Sequence, residues 1–320
     1  MALAVAVTGA TGFVGQATVP ALLAAGHRVR LLARRLPEFA SGPAGPVEVV
    51  LGDLSQPGAL ERLVEGADAV LHMAGAIKAR SAREFFAVNR DATAALLAAI
   101  ARRSAGRIDG GPRVILLSSL AARAPQLSPY AASKRAGEDL LRATPHGLPW
   151  LAVRAPVVYG PGDRETLRFF KAVRLGLAPV AGDGSGRISA IFVDDLAALL
   201  CRLVEAYLPP ADAYEVDDGN AAGYSLRDFA REAAAALGRR SRTVAVPRLA
   251  MSAAGAAQQG IAMLGGPTSI LSPAKVREIF HPDWVCHDRR LAEFIGWMPT
   301  VGLGDGFART IAWYRARGWL

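Results

Sequence analysis

Tyr130 and Lys134 stand four residues apart, directly behind Ser128 and Pro129. Serine is a good N-cap and proline suits the first helical position, so a helix is expected to begin there. Both side chains then share one helix face. An ammonium beside a phenol favours the phenolate and draws a pKa of about 10 toward the working range. Tyr130 so placed is a general acid/base for a carbonyl or an alcohol. Ser118 and Ser119 close the apolar run Val114–Leu117, where a serine hydroxyl can hydrogen-bond the substrate oxygen. Lysine is scarce: Lys78, Lys134, Lys171 and Lys275 are all there are, so the spacing is no by-product of composition.

Such a helix needs a scaffold and a redox partner, and the start of the chain supplies the signature of both. Met1 to Val7 is an apolar run fit for one buried strand, and Gly9, Gly12 and Gly15 follow it. Val14, Thr18, Val19, Leu22 and Leu23 then repeat at helical spacing. Strand, glycine turn and helix form the context of a dinucleotide-binding motif. Gly9 permits the tight turn, Gly12 lets the backbone approach a pyrophosphate, and Gly15 lets helix and strand pack closely. The free N–H groups of the first helical turn face the anion. His27 to Ala33 reads as the second strand and ends at Arg34 and Arg35. An acid there binds the ribose of NAD, whereas arginine accommodates the 2′-phosphate of NADP. No Asp or Glu occurs before Glu38, so NADP(H) is favoured over NAD(H), with Arg34 as the leading contact and Arg35 beside it.

Further strands are expected at Val47–Leu51, Ala67–Leu71, Val114–Leu117 and Leu151–Arg154, with a long helix over Ala82–Arg103. Strands alternating with helices imply an α/β fold with a doubly wound parallel sheet. Beyond Pro156 the alternation loosens. Segments 181–187 and 217–223 are rich in Gly and Asp, and helices recur at 194–206, 225–237, 289–296 and 304–317. The expected organisation is a dinucleotide-binding core over 1–155 and a smaller substrate-binding lobe over 156–320, with some segments returning to the core.

The string Thr8–Gly15, taken with Ser119, Tyr130 and Lys134, resembles the short-chain dehydrogenase/reductase superfamily. The likeness is to its extended branch, the NAD-dependent epimerase/dehydratase group. It implies a Rossmann fold, with Ser119 as first choice for the catalytic serine and Ser118 as second. Lys134 would also hold the nicotinamide ribose. Thr11, Phe13 and Val14 of the glycine turn join Gly9, Gly12 and Gly15 as cofactor contacts. By the same resemblance Asp53 and Leu54 lie along the adenine, and Ala74 and Gly75 form a small-residue floor under the cofactor. Asn89–Thr93 is similar to the family's N-x-x-G-T pattern, with Ala92 where glycine is usual, which implies Asn89 as a further cofactor contact. Arg154–Pro161 resembles R-x-x-N-V-Y-G-P, which sets Pro156 and Val157 beside the nicotinamide carboxamide. Phe192–Leu196 resembles the V-D-D segment, whose role is taken as structural.

Departures from the pattern narrow the activity. Dehydratases carry an acidic pair at the active serine, but here Ser119 is followed by Leu120 and Ala121. Sugar-nucleotide epimerases usually have Asn at the position of Val157. The resemblance thus points to an NAD(P)-dependent ketoreductase or alcohol dehydrogenase, similar to the dihydroflavonol reductase and 3β-hydroxysteroid dehydrogenase types. Its substrate would be small and apolar or aromatic. A nucleotide-sugar epimerase is the alternative within enzymes. From another class comes an NADPH-binding accessory or assembly protein resembling the dehydrogenase-fold subunit of respiratory complex I.

Composition bounds these readings. Of 320 residues 52% are hydrophobic, which excludes a disordered chain. The net charge of +9 comes from scattered arginines without a basic–aromatic run, so nucleic acid is not an expected partner. An anionic cofactor, substrate or membrane surface remains compatible with it. Cys201 and Cys286 lack metal or redox spacing and read as reduced packing residues, with no metal centre. No basic segment precedes the first apolar run, which argues against a signal peptide and for the cytoplasm. Leu249–Leu264 is apolar but interrupted by Gln258 and Gln259, and 16 residues are short for a membrane span. A buried or lid-forming helix is expected there, with peripheral contact the only membrane association. The resemblance also admits a homodimer.

Overall fold

The computed structural model describes residues 2–37, 39, 47–104, 111–144 and 147–320. Met1, expected to open the first strand, and Glu38, the first acid after the second, lie outside the described residues. The first half of the chain forms β1 (Ala4–Thr8), α1 (Phe13–Ala24), β2 (Arg28–Ala33), β3 (Glu48–Leu51), α2 (Pro57–Val64) and β4 (Ala69–His72). It continues through α3 (Ala82–Phe86), α4 (Ala92–Ser104), β5 (Arg113–Ser119), α5 (Pro129–Arg142) and β6 (Trp150–Ala155). Next come β7 (Val157–Tyr159), α6 (Glu165–Arg174), β8 (Leu177–Ala181), β9 (Arg187–Ile188), β10 (Ala190–Phe192), α7 (Val193–Glu205) and β11 (Ala213–Glu215). The chain ends through β12 (Tyr224–Ser225), α8 (Leu226–Leu237), β13 (Arg242–Val246), α9 (Arg248–Met263) and α10 (Pro273–Ile279). After these follow β14 (Asp283–Trp284), α11 (Arg290–Ile295) and α12 (Leu303–Ala316).

Seven parallel strands make the main sheet, in the order β3-β2-β1-β4-β5-β6-β11. Val5 of β1 pairs with Val29 on one side and with Ala69 on the other. The order reverses between β1 and β4, and ligands of such sheets bind outside the carboxyl ends of the strands at that switch point. Both faces are covered, so the central strands read as continuous apolar runs. Val5, Val7 and Leu71 pack with Val19, Leu22, Leu199 and Leu203 of α1 and α7. On the opposite face Ala6 and Val70 pack with Leu60, Leu63, Leu96 and Ile100 of α2 and α4.

The later half divides its labour. β11 completes the main sheet beside β6, and α7 covers β1 with α1. Most of the remainder surrounds an aromatic cluster of Tyr159, Phe170, Phe192, Phe229, Phe307 and Tyr314. Asp195, in the first turn of α7, is buried and accepts hydrogen bonds from the N–H groups of Thr300 and Val301 and from the Thr300 hydroxyl. That is a structural task, tying the carboxyl-terminal segment to the body.

Two elements differ from the sequence expectation. The helix over 82–103 is interrupted by a π-helical turn at Ala87–Asp91. The apolar segment at 249–264 forms α9, but it is not a buried helix: only Gly255 and Ala262 on it are buried. Its outer side meets solvent because α10 covers one face alone. Among the described residues no helix is long and apolar enough to cross a membrane.

Candidate active site

At the carboxyl end of β1, Gly9 adopts φ +76°, and a Cβ on it would come within 2.5 Å of the Ala74 nitrogen. A Cβ on Gly15 would lie 2.3 Å from the Gly9 carbonyl, so α1 rests directly on the loop backbone. Gly12 is the N-cap of α1 and offers no side-chain cap, and the first turn holds no acid. Its leading N–H groups are therefore open to an anion. Thr11 and Gly12 are exposed on this turn, while Phe13 and Val14 are half-buried. Across the β1–β4 junction Ala74 and Gly75 lie partly open, and the Ala74 N–H donates to the Thr8 hydroxyl. A glycine cradle, an uncapped helix terminus and a small-residue floor at the switch point fit a dinucleotide.

Arg34 and Arg35 project from the end of β2 into solvent. Asp53 accepts hydrogen bonds from the Ser55 hydroxyl and N–H, and these hold its carboxyl below the ordinary range, with help from the nearby Arg34 charge. Leu54 packs its side chain on the α2–α4 core. Pro156 is half-buried, and Val157 is exposed and pairs through β7 with β10.

Ser128 caps α5, accepting from the Ala131 N–H at 3.0 Å, with Pro129 in the first turn. This start aims Tyr130 at the end of β5, where the Ser119 side chain is near enough to pull the phenol's pKa down. Ser118 points the other way, is buried, and donates to Glu138 Oε1 at 2.7 Å. The two serines differ because successive strand residues face opposite sides. Lys134, also buried, donates from Nζ to the Leu117 carbonyl at 2.7 Å. It reaches the Gly75 loop too, since a Cβ on Gly75 would lie 3.3 Å from its Nζ.

The electrostatics differ from the sequence expectation. Burial pushes the Tyr130 phenol up to about 12, against a downward pull from Ser119 and with an added upward push from Glu278. Lys134 does not enter the balance of causes at Tyr130. Burial lowers Lys134 itself to about 8, countered in part by Glu138. At neutral pH the pair is a protonated phenol and an ammonium held only weakly.

The π-turn shapes the next layer. Asn89 lies within it and is buried. Its Oδ1 accepts from the Ala76 N–H at 2.8 Å, and its Nδ2 donates to the Ala76 carbonyl and the Ser133 hydroxyl at 3.1 and 2.9 Å. One amide thus joins the loop after β4 to α5. Behind it His72 bridges the hydroxyls of Thr8 and Thr93 at 2.6 and 3.0 Å. Burial, then the Lys134 charge, push His72 down to about 3, so it is a neutral structural tether.

Sequence reasoning missed several residues around Tyr130. Phe85 meets its ring edge-on at 5.9 Å between centroids, and Lys275 lies 5.4 Å from the ring centroid. Buried Glu278 accepts from Lys275 Nζ at 2.5 Å and from the Ser128 hydroxyl. These residues come from α3 and α10, far from Tyr130 in sequence, and only the fold brings them in. A cavity of about 70 Å³ beside them is lined by Phe85, Pro129, Gln258, Ala262, Leu271 and Ala274. A larger one of about 770 Å³ lies at the amino ends of the strands, around Ala4, Gly26 and His27, remote from this chemistry.

A model of the NAD dependent epimerase/dehydratase family matches residues 5–216. The chain belongs to that family. It is 44% identical over 317 residues to the ceramide reductase of Caulobacter vibrioides (strain NA1000 / CB15N), spanning 99% of this chain and 96% of that protein. It is 27% identical to the 2-alkyl-3-oxoalkanoate reductase of Stenotrophomonas maltophilia (strain K279a), over 95% of this chain and 97% of that one. The human epimerase family protein SDR39U1 (isoform2) with NADPH has the same fold at a TM-score of 0.74 and 20% identity, over 97% and 99% of the two chains. The UDP-glucose 4-epimerase of Thermus thermophilus with NAD superposes at 0.70 and 21%, over 98% and 99%. The protein is an NAD(P)-dependent enzyme of the extended short-chain dehydrogenase/reductase superfamily, and a nicotinamide dinucleotide is its cofactor.

Proposed function

We propose that this epimerase/dehydratase family member is an NADPH-dependent reductase acting on a ketone carried by a long-chain, largely apolar lipid of the ceramide class. The observation that carries the reaction type is the placement of Tyr130 and Lys134 one turn apart on α5, with Ser119 at the end of β5 near enough to pull the phenol's pKa down. A phenol held near 12 is protonated at neutral pH, which suits an acid that gives its proton to a carbonyl oxygen. Ser119 hydrogen-bonds that oxygen and then the phenolate left behind. When bound, the cofactor supplies the hydride that the carbonyl carbon receives, and the ketone becomes a secondary alcohol. Lys134, beside Gly75, orients the nicotinamide ribose.

The substrate class rests on the relative named ceramide reductase; the small cavity beside Phe85 and Pro129 mixes the apolar Ala262 and Leu271 with Arg80, Gln258, Gln259 and Ser272. Valine at 157 and the absence of a carboxylate after Ser119 leave little to grip or dehydrate a nucleotide sugar. The test is Tyr130→Phe assayed for NADPH oxidation with a long-chain 3-oxo lipid. Turnover is expected to fall at least about 100-fold, the scale of a lost general acid, with NADPH affinity retained. Undiminished turnover would refute the assignment.

A further inference from the structure

The solvent side of α9 is built the wrong way round for a helix facing water. Between Leu249 and Leu264 there is no charged residue. At 3.6 residues per turn, Met251, Gly255, Gln258 and Ala262 share the inner face, which packs against α10. Leu249, Ala253, Ala256, Ala257, Gly260 and Leu264 then share the outer one. Leu249 is 85% exposed and Leu264 is 91% exposed, with Ile261 and Met263 also exposed beside them. An outward stripe of large apolar side chains at both ends of one helix is not the pattern of a solvated surface.

The charge around it is one-sided. From Ala233 to Arg277 the chain carries six cationic residues and no Asp or Glu. Arg239, Arg240, Arg242 and Arg248, which lead into α9, are exposed, and none pairs with an acid among the described residues. The strand entering α9 exposes Val244, and its neighbour β8 exposes Leu177.

We propose that the outer face of α9 lies in the interface of an anionic lipid bilayer, with the preceding arginines on the headgroups. An uncharged apolar face flanked by arginines is the arrangement that seats a helix in the plane of such a surface. A second copy of the chain is the less suited occupant. A helix of 16 residues offers a face of about 24 by 10 Å, well short of the ~800 Å² per partner of a stable interface. The inner face of the same helix lines the cavity beside Phe85 and Pro129 with Gln258 and Ala262. A membrane-resident substrate would therefore pass under α9 to Tyr130 without crossing water. That last step rests on the reductase reading; the docking does not.

Flotation of the full chain with phosphatidylcholine vesicles, with and without phosphatidylglycerol, tests the docking without any activity assay. The chain is expected to float with the anionic vesicles and to be released as salt rises. A variant carrying Leu249→Gln, Ile261→Gln, Met263→Gln and Leu264→Gln is expected to bind at least about tenfold less. Its thermal midpoint is expected to hold, since these side chains are exposed. Arg240→Gln with Arg242→Gln and Arg248→Gln is expected to lose the preference for anionic vesicles. A chain that floats with neither vesicle, or a quadruple variant that floats like the wild type, would overturn the proposal. So would a solution dimer that the quadruple variant converts to monomer without any vesicle binding, which would make the face a subunit interface.

Discussion

Arg154 grips Glu138 through two hydrogen bonds, Nε to Oε1 at 2.9 Å and Nη2 to Oε2 at 2.7 Å. Glu138 is fully buried and also accepts from Ser118, so β5, β6 and α5 meet on one carboxylate. Tyr130, Lys134 and Glu138 succeed one another at four-residue steps along α5. The ion pair therefore helps set where Tyr130 and Lys134 stand on that helix. Removing one partner of a buried pair leaves the other charge uncompensated. Glu138→Ala is expected to cost about 3–5 kcal/mol in urea unfolding, whereas a cost under about 1 kcal/mol would mean that Arg154 finds solvent instead.

Lys134 presents the opposite balance. Burial lowers its pKa to about 8, below the ordinary lysine value of about 10.4. Below about pH 8 both folded and unfolded chains hold the proton, and the folded state bears its burial cost. Between the two values the unfolded chain holds more protons, so stability rises with pH across that window. Lys134→Met is therefore expected to keep or raise the urea midpoint at neutral pH while turnover drops at least about 100-fold. In the wild type, reductive kcat/KM is expected to stay level up to about pH 8 and fall beyond it as the ammonium is lost. A level profile through pH 10 would show that this charge is not used.

Much of this was legible in the residues. The glycine turn, the strand alternation and the Tyr-x-x-x-Lys spacing are local patterns, and local patterns survive folding. The sense of the Tyr130 shift was not, because it depends on burial, Ser119 and Glu278 rather than on Lys134. That Ser118 and Ser119 face opposite ways needed the strand's facing, which the Ser118 bond to buried Glu138 reveals. The π-turn at 87–91 left no sequence mark: Ala87, Val88 and the polar residues after them fit a regular helix equally well. Lys275 and Glu278 arrive through tertiary packing alone.

Arg34 carries the proposed preference for NADPH. It is exposed at the end of β2, and its charge reaches Asp53. A charge-assisted contact to a 2′-phosphate is worth about 1.5 kcal/mol or more, which is about tenfold in affinity. Fluorescence titration is expected to show Arg34→Ala binding NADPH about tenfold more weakly, with NADH unchanged. Equal losses for both cofactors would place Arg34 in the general frame of the site rather than at the phosphate.

Gly137 decides how closely α5 approaches the π-turn. A Cβ there would lie 2.7 Å from the backbone oxygen of Asn89, too near for any real contact. Alanine in a helix gains about 1 kcal/mol over glycine, but overpacking costs about 1–3 kcal/mol, and the obstacle is backbone that cannot swing aside. Clash is expected to win. Gly137→Ala should lower the urea midpoint and also turnover, because Asn89 moves and takes the Ala76 loop and Ser133 with it. Gly58 in α2 supplies the contrast, since its nearest neighbour is the Arg62 side chain at 3.9 Å. Gly58→Ala is expected to raise stability by about 0.4–1 kcal/mol with turnover untouched. If both variants behave like Gly58→Ala, the close approach at Gly137 is not what holds the π-turn against α5.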